Sequence, residues 1–217
     1  MKKFLSIILA GLLMFGSVNV FATDEANYIE ELSKYGIIKG DPDGKMRLYD
    51  NLTRAEAVTL LVRMYGFTPE TSETAHVNKF PDMDNHWACN ATMIAKGLRI
   101  VDIMDGEAFN PDENILVEEF IKMIVCLLGY QEVAEQRGGN PNGYFIQSSQ
   151  LGVTKGVSME LGNYITRENA VQILCNSLDV PVMVMTAFDI EESNSYIIMN
   201  GKNGTEYRSL RTMLEVE

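Results

Sequence analysis

The sequence predicts an all-α fold, and three observations carry that expectation. One helix–loop–helix pattern recurs three times, imperfectly but in register. The second helix of the first two copies places apolar residues at i, i+3, i+4 and i+7, a stripe at helical spacing, and the third keeps the stripe with one polar lapse. A first helix, as over residues 26–35, ends at Gly36, where a left-handed C-cap can close it before a loop rich in glycine and aspartate.

In chain order, residues 1–22 read as a secretory signal peptide. Lys2 and Lys3 make a basic start, residues 4–15 are almost wholly apolar, and Val20-Phe21-Ala22 offers small residues for cleavage. That apolar core is shorter than the roughly 20 residues a spanning helix needs, and no later stretch reaches that length. The mature chain is expected to begin near Thr23, to be exported, and to have no membrane partner after cleavage.

The first copy covers 23–67. Its loop, Gly40-Asp41-Pro42-Asp43-Gly44, carries strong turn chemistry, and Met46 is placed to plug the core. Its second helix carries Ala57, Leu60, Leu61 and Met64 on one face. The second copy, 80–130, follows in the same register, with Phe109 for Met46, Leu116 for Thr53 and Glu119 for Glu56. Its stripe is Phe120, Met123, Ile124 and Leu127. The third, 140–181, has a shortened loop with Met159 and a stripe of Ala170, Ile173, Leu174 and, as the polar lapse, Ser177. Polar segments 68–79 and 131–142 read as linkers. Two short helices cannot bury such a stripe alone, so the three copies are expected to pack together. After Val180-Pro181 the texture changes: 182–188 and 196–199 are β-prone, and Asn200-Gly201 and Asn203-Gly204 are turn signals. Residues 182–217 are a short β-prone tail or the start of a further module.

Composition narrows the function. A formal charge of −12 disfavours nucleic acid and anionic membrane as partners. Cys89, Cys126 and Cys175 are odd in number and far apart, which argues against a disulfide framework, although one pair could bridge. His76 and His86 are the only histidines and neither lies in a nucleophile–base motif; no carboxylate pair stands out for glycoside cleavage either. No enzyme activity, catalytic residue or cofactor is expected.

The candidate binding residues cluster at helix starts. Thr53-x-x-Glu56 is a capping box, which either only starts the helix or also presents Glu56 to a ligand. Arg54 stands in the first turn, where a cation opposes the helix dipole. With free backbone N–H groups beside it, it makes a good carboxylate site. Arg167 occupies the same place in the third copy. Trp87, the only tryptophan, is either core or a flat surface for a sugar ring, and His86 beside it is read as structural. Asp82 either caps the helix that follows it or bonds a sugar hydroxyl. Gly40 and Gly156 either make turns or let backbone approach a ligand.

These motifs resemble the surface-layer homology (SLH) domain. Leu52-Thr53-Arg54-Ala55-Glu56 matches its I-T-R-A-E signature, Phe80-Pro81-Asp82 with His86-Trp87-Ala88 matches its opening pattern, Gly106, Phe109 and Pro111 match its loop, and Ile165-Thr166-Arg167 repeats the signature's start. The resemblance spans roughly residues 24–178. It implies three repeats in a pseudo-threefold trefoil around a central helical bundle. It also implies non-covalent anchoring to secondary cell-wall polysaccharide on a thick-walled bacterium, through an acidic pyruvate ketal on an amino sugar held in grooves between repeats. Arg54, Glu56, Arg167, Trp87, Asp82, Gly40 and Gly156 are the implied contacts, and other surface-layer proteins are further partners. The second copy departs from the signature, with Leu116-Val117-Glu118-Glu119, and the third has Asn169 for the glutamate. The Arg54 groove is therefore ranked first, the Arg167 groove second, and the one at Val117 silent. Two other readings stay open: a calcium loop on Asp41, Asp43 and Asp50, too sparse for a full ligand set, and a purely structural assembly module with degenerate grooves.

Overall fold

The computed structural model describes residues 20–40, 43–71, 80–103, 106–187, 195–198 and 208–215. Most of the expected signal peptide, Asp41, His76 and the turn signals at Asn200-Gly201 and Asn203-Gly204 lie outside the described residues.

Helices carry the fold. Their order is α1 Val20–Lys34, α2 Arg54–Met64, α3 Cys89–Gly97, α4 Val117–Leu127, α5 Gln131–Gln136, α6 Asn142–Gln150, α7 Arg167–Ser177 and α8 Leu210–Leu214, with strands β1 Met183–Ala187 and β2 Ser195–Ile198 before α8. No helix among the described residues is long and apolar enough to cross a membrane.

The three 11-residue helices α2, α4 and α7 hold the apolar stripes. Leu61, Ile124 and Leu174 are fully buried, as is Phe109, while Met46 and Met159 pack partly buried against the same core. Ser177, the polar lapse in the α7 stripe, is also buried, and its hydroxyl donates to the Ile173 carbonyl at 2.7 Å. A buried hydroxyl with a partner costs little.

The helix starts are of three grades. At α2 the box is complete: Thr53 Oγ1 accepts the Glu56 N–H at 3.2 Å and Glu56 Oε2 accepts the Thr53 N–H at 3.0 Å. At α4 only the return bond exists, Glu119 Oε2 to the Leu116 N–H at 3.1 Å, because a leucine side chain offers no acceptor. At α7 Thr166 Oγ1 accepts the Asn169 N–H at 3.3 Å, without a glutamate to answer it.

Packing runs between consecutive copies of the pattern. Helix α3 lies on α2, α6 lies on α4, and α1 lies on α7, so the first helix meets the last of the three stripes. The linker expected over 131–142 holds a helix instead. In α5 the small Ala134 is fully buried, and Tyr144 on α6 donates its hydroxyl to Glu135 at 2.7 Å, so the polar segment folds against its neighbour.

At the C-terminal side β1 and β2 pair antiparallel, Met183 opposite Ile198. The Met183 N–H donates to the Leu128 carbonyl at 2.9 Å. Gly129 makes that approach possible: it has φ +84°, and a Cβ there would lie 1.9 Å from the Met183 carbonyl oxygen. Helix α8 is tied back by Arg211, which meets Asp179 at 2.6 Å and also pairs with Glu31 on α1. Cys89, Cys126 and Cys175 are all free thiols, and burial pushes Cys126 up to about 11.

Candidate functional site

The three stripe-bearing helices start at one place. The residues just before the caps hydrogen-bond one another in a closed ring: Leu52 N–H to Ile165 O at 2.9 Å, Ile165 N–H to Ile115 O at 3.1 Å, and Ile115 N–H to Leu52 O at 2.9 Å. All three side chains are fully buried. Two residues further on, the first helical N–H groups of Arg54, Val117 and Arg167 donate to the carbonyls of Glu113, Asn163 and Asp50, each at 2.9 Å.

This corrects one expectation. Free N–H groups at the starts of α2 and α7 were to help capture an anion, but they are taken. Arg54 and Ala55 donate to Glu113 and Pro111, Arg167 and Glu168 to Asp50 and Leu48, and the next N–H in each helix goes to its threonine cap. Helix ends packed into a core must satisfy their first-turn donors, and neighbouring loops do so here.

The arginines reach across the same junctions. Arg54 Nε donates to the Phe109 carbonyl at 2.8 Å, Nη1 pairs with Glu119 Oε1 at 2.6 Å, and the guanidinium lies 5.2 Å from the Phe109 ring centre. Arg167 repeats this with Met46 O at 3.0 Å and Glu56 Oε1 at 3.0 Å. Each glutamate caps its own helix with one oxygen and holds a neighbour's arginine with the other. Arg54 and Glu56, two positions apart in sequence, therefore serve different junctions. The residues after the gripped carbonyls, Arg47 and Asn110, have φ +48° and +56°, a left-handed conformation that directs the loop under each arginine. At the third junction the positions of both partners have changed together, to Val117 and Asn169.

Asp82 does not cap a helix. Pro81 and the left-handed Asn85 keep the chain in turns until α3 begins at Cys89. The Asp82 carboxylate accepts the N–H groups of Phe109 at 2.8 Å and Asn110 at 2.6 Å. Burial works against its ionisation, but those two donors hold its carboxyl below the ordinary carboxylate range. Arg54 and Asp82 thus grip Phe109 from its carbonyl and amide sides. His86 Nδ1 accepts the Ala88 N–H at 3.2 Å, and Nε2 lies 3.4 Å from Asp112, in the same loop. Trp87 is 63 % exposed, with its ring 5.5 Å from the His86 ring. It is a surface side chain rather than core.

Arg54 and Asp82 therefore converge on the loop 109–113, with Trp87 adjoining it only through His86, while Arg167 and Glu56 sit at another junction. Gly40 and Gly156 join neither group. A Cβ on Gly40 would come 3.2 Å from the Gly44 backbone, and Gly156, at φ +76°, lies against the Gln172 side chain. Sequence reasoning missed Glu119 as the partner of Arg54. The signal was present, since Glu119 aligns with Glu56, but 65 residues separate the pair. Among the described residues no cluster of three metal-ligating side chains occurs, and the Asp43 carboxylate is paired with Lys45 at 2.9 Å.

Among known proteins, the match to a family profile ends before Asp82, Trp87 and the loop 109–113. The S-layer homology domain profile matches residues 21–58. The chain is 26 % identical over 203 residues to the Middle cell wall protein of Brevibacillus brevis, covering 87 % of this chain and 19 % of that protein. It is 25 % identical over 198 residues to a Cell surface protein of Thermoanaerobacter kivui, covering 84 % and 25 % respectively. A Surface layer protein of Brevibacillus choshinensis is 28 % identical over 131 residues, 60 % of this chain and 12 % of its own length. The chain thus corresponds to no more than a quarter of the length of the first two relatives.

Proposed function

We propose that this chain is exported and anchors to the bacterial cell wall, holding an acidic wall glycan at the junction where Arg54 and Trp87 flank the loop 109–113. The single observation that carries this reading is an unburied tryptophan, 63 % exposed, whose ring lies against His86, the residue that reaches Asp112 in the loop Arg54 grips. An indole face suits a sugar ring and a guanidinium fork suits a carboxylate. The similarity to surface-layer and cell-wall proteins supports the location.

On this reading residues 1–22 are the removed signal peptide, and 23–67, 80–130 and 140–181 are three SLH repeats arranged as a trefoil. The ring of backbone bonds among Leu52, Ile115 and Ile165 supports that arrangement, as does the pairing of each first helix with another repeat's second. The ligand is a pyruvylated amino sugar on secondary cell-wall polysaccharide, and surface-layer proteins are further partners. The ligand meets the arginine's side-chain edge, since the backbone donors are occupied. The Arg167 junction is the second groove: its arginine is held by Glu56 and Met46 much as Arg54 is held by Glu119 and Phe109, and it ranks below because its own helix start has Asn169 where the signature has a glutamate. Asp82 acts by fixing the loop. Gly40 and Gly156 shape turns that border the grooves.

The test is sedimentation of the purified chain with walls carrying or lacking the pyruvate ketal. Retention only on ketal-bearing walls is expected. Arg54→Lys, which keeps the charge but loses the planar fork, is expected to weaken it by about tenfold. Equal retention on both wall types would sink the acidic-sugar reading.

A further inference from the structure

Arg54 opens α2, and its other end carries a second concentration of cations, roughly 15 Å away along the helix. Lys34, Lys39 and Arg63 line a cavity of about 300 Å³ with the rings of Tyr35 and Phe67 and a single carboxylate, Glu70. In a chain of net charge −12, three cations and one anion line this cavity, with Glu31 and Glu215 acting on Lys34 from beside it.

The cavity already holds a carboxylate of its own. Glu70 Oε1 pairs with Arg63 Nη2, and Lys39 Nζ lies 3.3 Å from the same oxygen. Burial works against ionisation, yet this pairing holds the Glu70 carboxyl at about 2. Glu70 reaches in from a surface turn closed by the Thr71 N–H on the Thr68 carbonyl at 3.1 Å, and its side chain is 47 % exposed. It sits at the mouth, not in the core. Arg63 is far less exposed; its Nη1 donates to the Ile37 carbonyl at 3.4 Å, and its Nε is buried without a partner among the described residues. A buried guanidinium N–H left unpaired is unfavourable. Glu215 accepts the Tyr35 phenol hydroxyl at 2.8 Å, the hydroxyl that Lys34 Nζ approaches at 3.4 Å.

We propose that this cavity is a receptor for a small carboxylate on a sugar-sized ligand, of the uronic acid class, with Glu70 as its resident competitor. The volume, at the low end for a small-molecule site, accommodates one ring. Tyr35 and Phe67 line it with aromatic side chains, and Arg63 with Lys39 offers the carboxylate the geometry Glu70 uses now. The site stands apart from the Arg54–Trp87 junction and does not depend on it.

The test is calorimetric titration of the full chain with glucuronate, and with glucose as the uncharged control. Glu70→Gln is expected to bind glucuronate roughly tenfold more tightly than wild type, by removal of a like charge from the site. Glu132→Gln, which removes an exposed charge on α5, is expected to change nothing. Adding Lys39→Gln to Glu70→Gln is expected to reverse most of the gain. Should Glu70→Gln fold poorly, NMR shifts of the Phe67 and Tyr35 rings in wild type at high glucuronate read the same site directly. Perturbation of those rings by glucuronate but not glucose is the expected result. Glucuronate binding no tighter in Glu70→Gln than in wild type, equal binding of glucose, or no ring shift would overturn the proposal. No wall is used, so failure here is distinguishable from failure of wall anchoring.

Discussion

Glu56 and Glu119 each divide their two oxygens between their own helix start and an arginine of another helix. Glu119→Gln keeps an acceptor for the Leu116 N–H but loses the charge facing Arg54. The side chain is 38 % exposed, so solvent screens part of the pair, and a loss of about 1 kcal/mol in urea unfolding is expected. Arg167→Ala removes a more enclosed cation and leaves Glu56 and the Met46 carbonyl without it, so about 2–3 kcal/mol is expected in the same measurement. Glu70 gives a pH signature. Its folded carboxyl lies near 2 against an ordinary 4.5, so the stability it adds is complete above about pH 4.5 and is lost as pH falls through about 2. Glu70→Gln should therefore flatten the acid limb of a stability–pH curve over that window. A limb of unchanged slope would show that the pair with Arg63 and Lys39 contributes nothing in solution.

The stripes, the caps and the register of the three segments were legible at the scale of elements, because period and capping chemistry are local properties of sequence. The partners were not. A stripe such as Phe120, Met123, Ile124 and Leu127 says that α4 buries a face, but not that α6 covers it, nor that α1 covers α7. Asp82 read as a helix cap or a ligand contact because it precedes a helical segment; its partners in the fold lie 27 and 28 residues ahead, in a loop the sequence does not point to. The polar composition of α5 hid a helix whose burial rests on one alanine. The joint change to Val117 and Asn169 was visible as two separate departures, and only the geometry makes them one. Val117 is 1 % exposed. Val117→Arg alone should bury an unpaired cation and cost at least about 2 kcal/mol. Adding Asn169→Glu should recover about 1 kcal/mol or more in a double-mutant cycle. Strict additivity would mean that the third junction lacks the geometry of the other two.

For the whole molecule, the three helix starts are joined by backbone bonds and by two arginine–glutamate pairs, and α1 is packed on α7. This leaves the side chains around loop 109–113 on a rigid base, as a binding site needs. The acidic chain presents an unfavourable field to an acidic glycan, so the proposed binding should depend on local contacts, and Trp87 is the proposed contact with least structural duty. At 63 % exposure its replacement should leave the unfolding midpoint almost unchanged, which separates binding from stability more cleanly than any change at Arg54. The decisive measurement is the affinity of Trp87→Ala for ketal-bearing walls, beside its thermal midpoint. The expected result is a loss of about tenfold or more in affinity at an unaltered midpoint. Wild-type affinity in Trp87→Ala would contradict the placement of the wall-binding site at this junction.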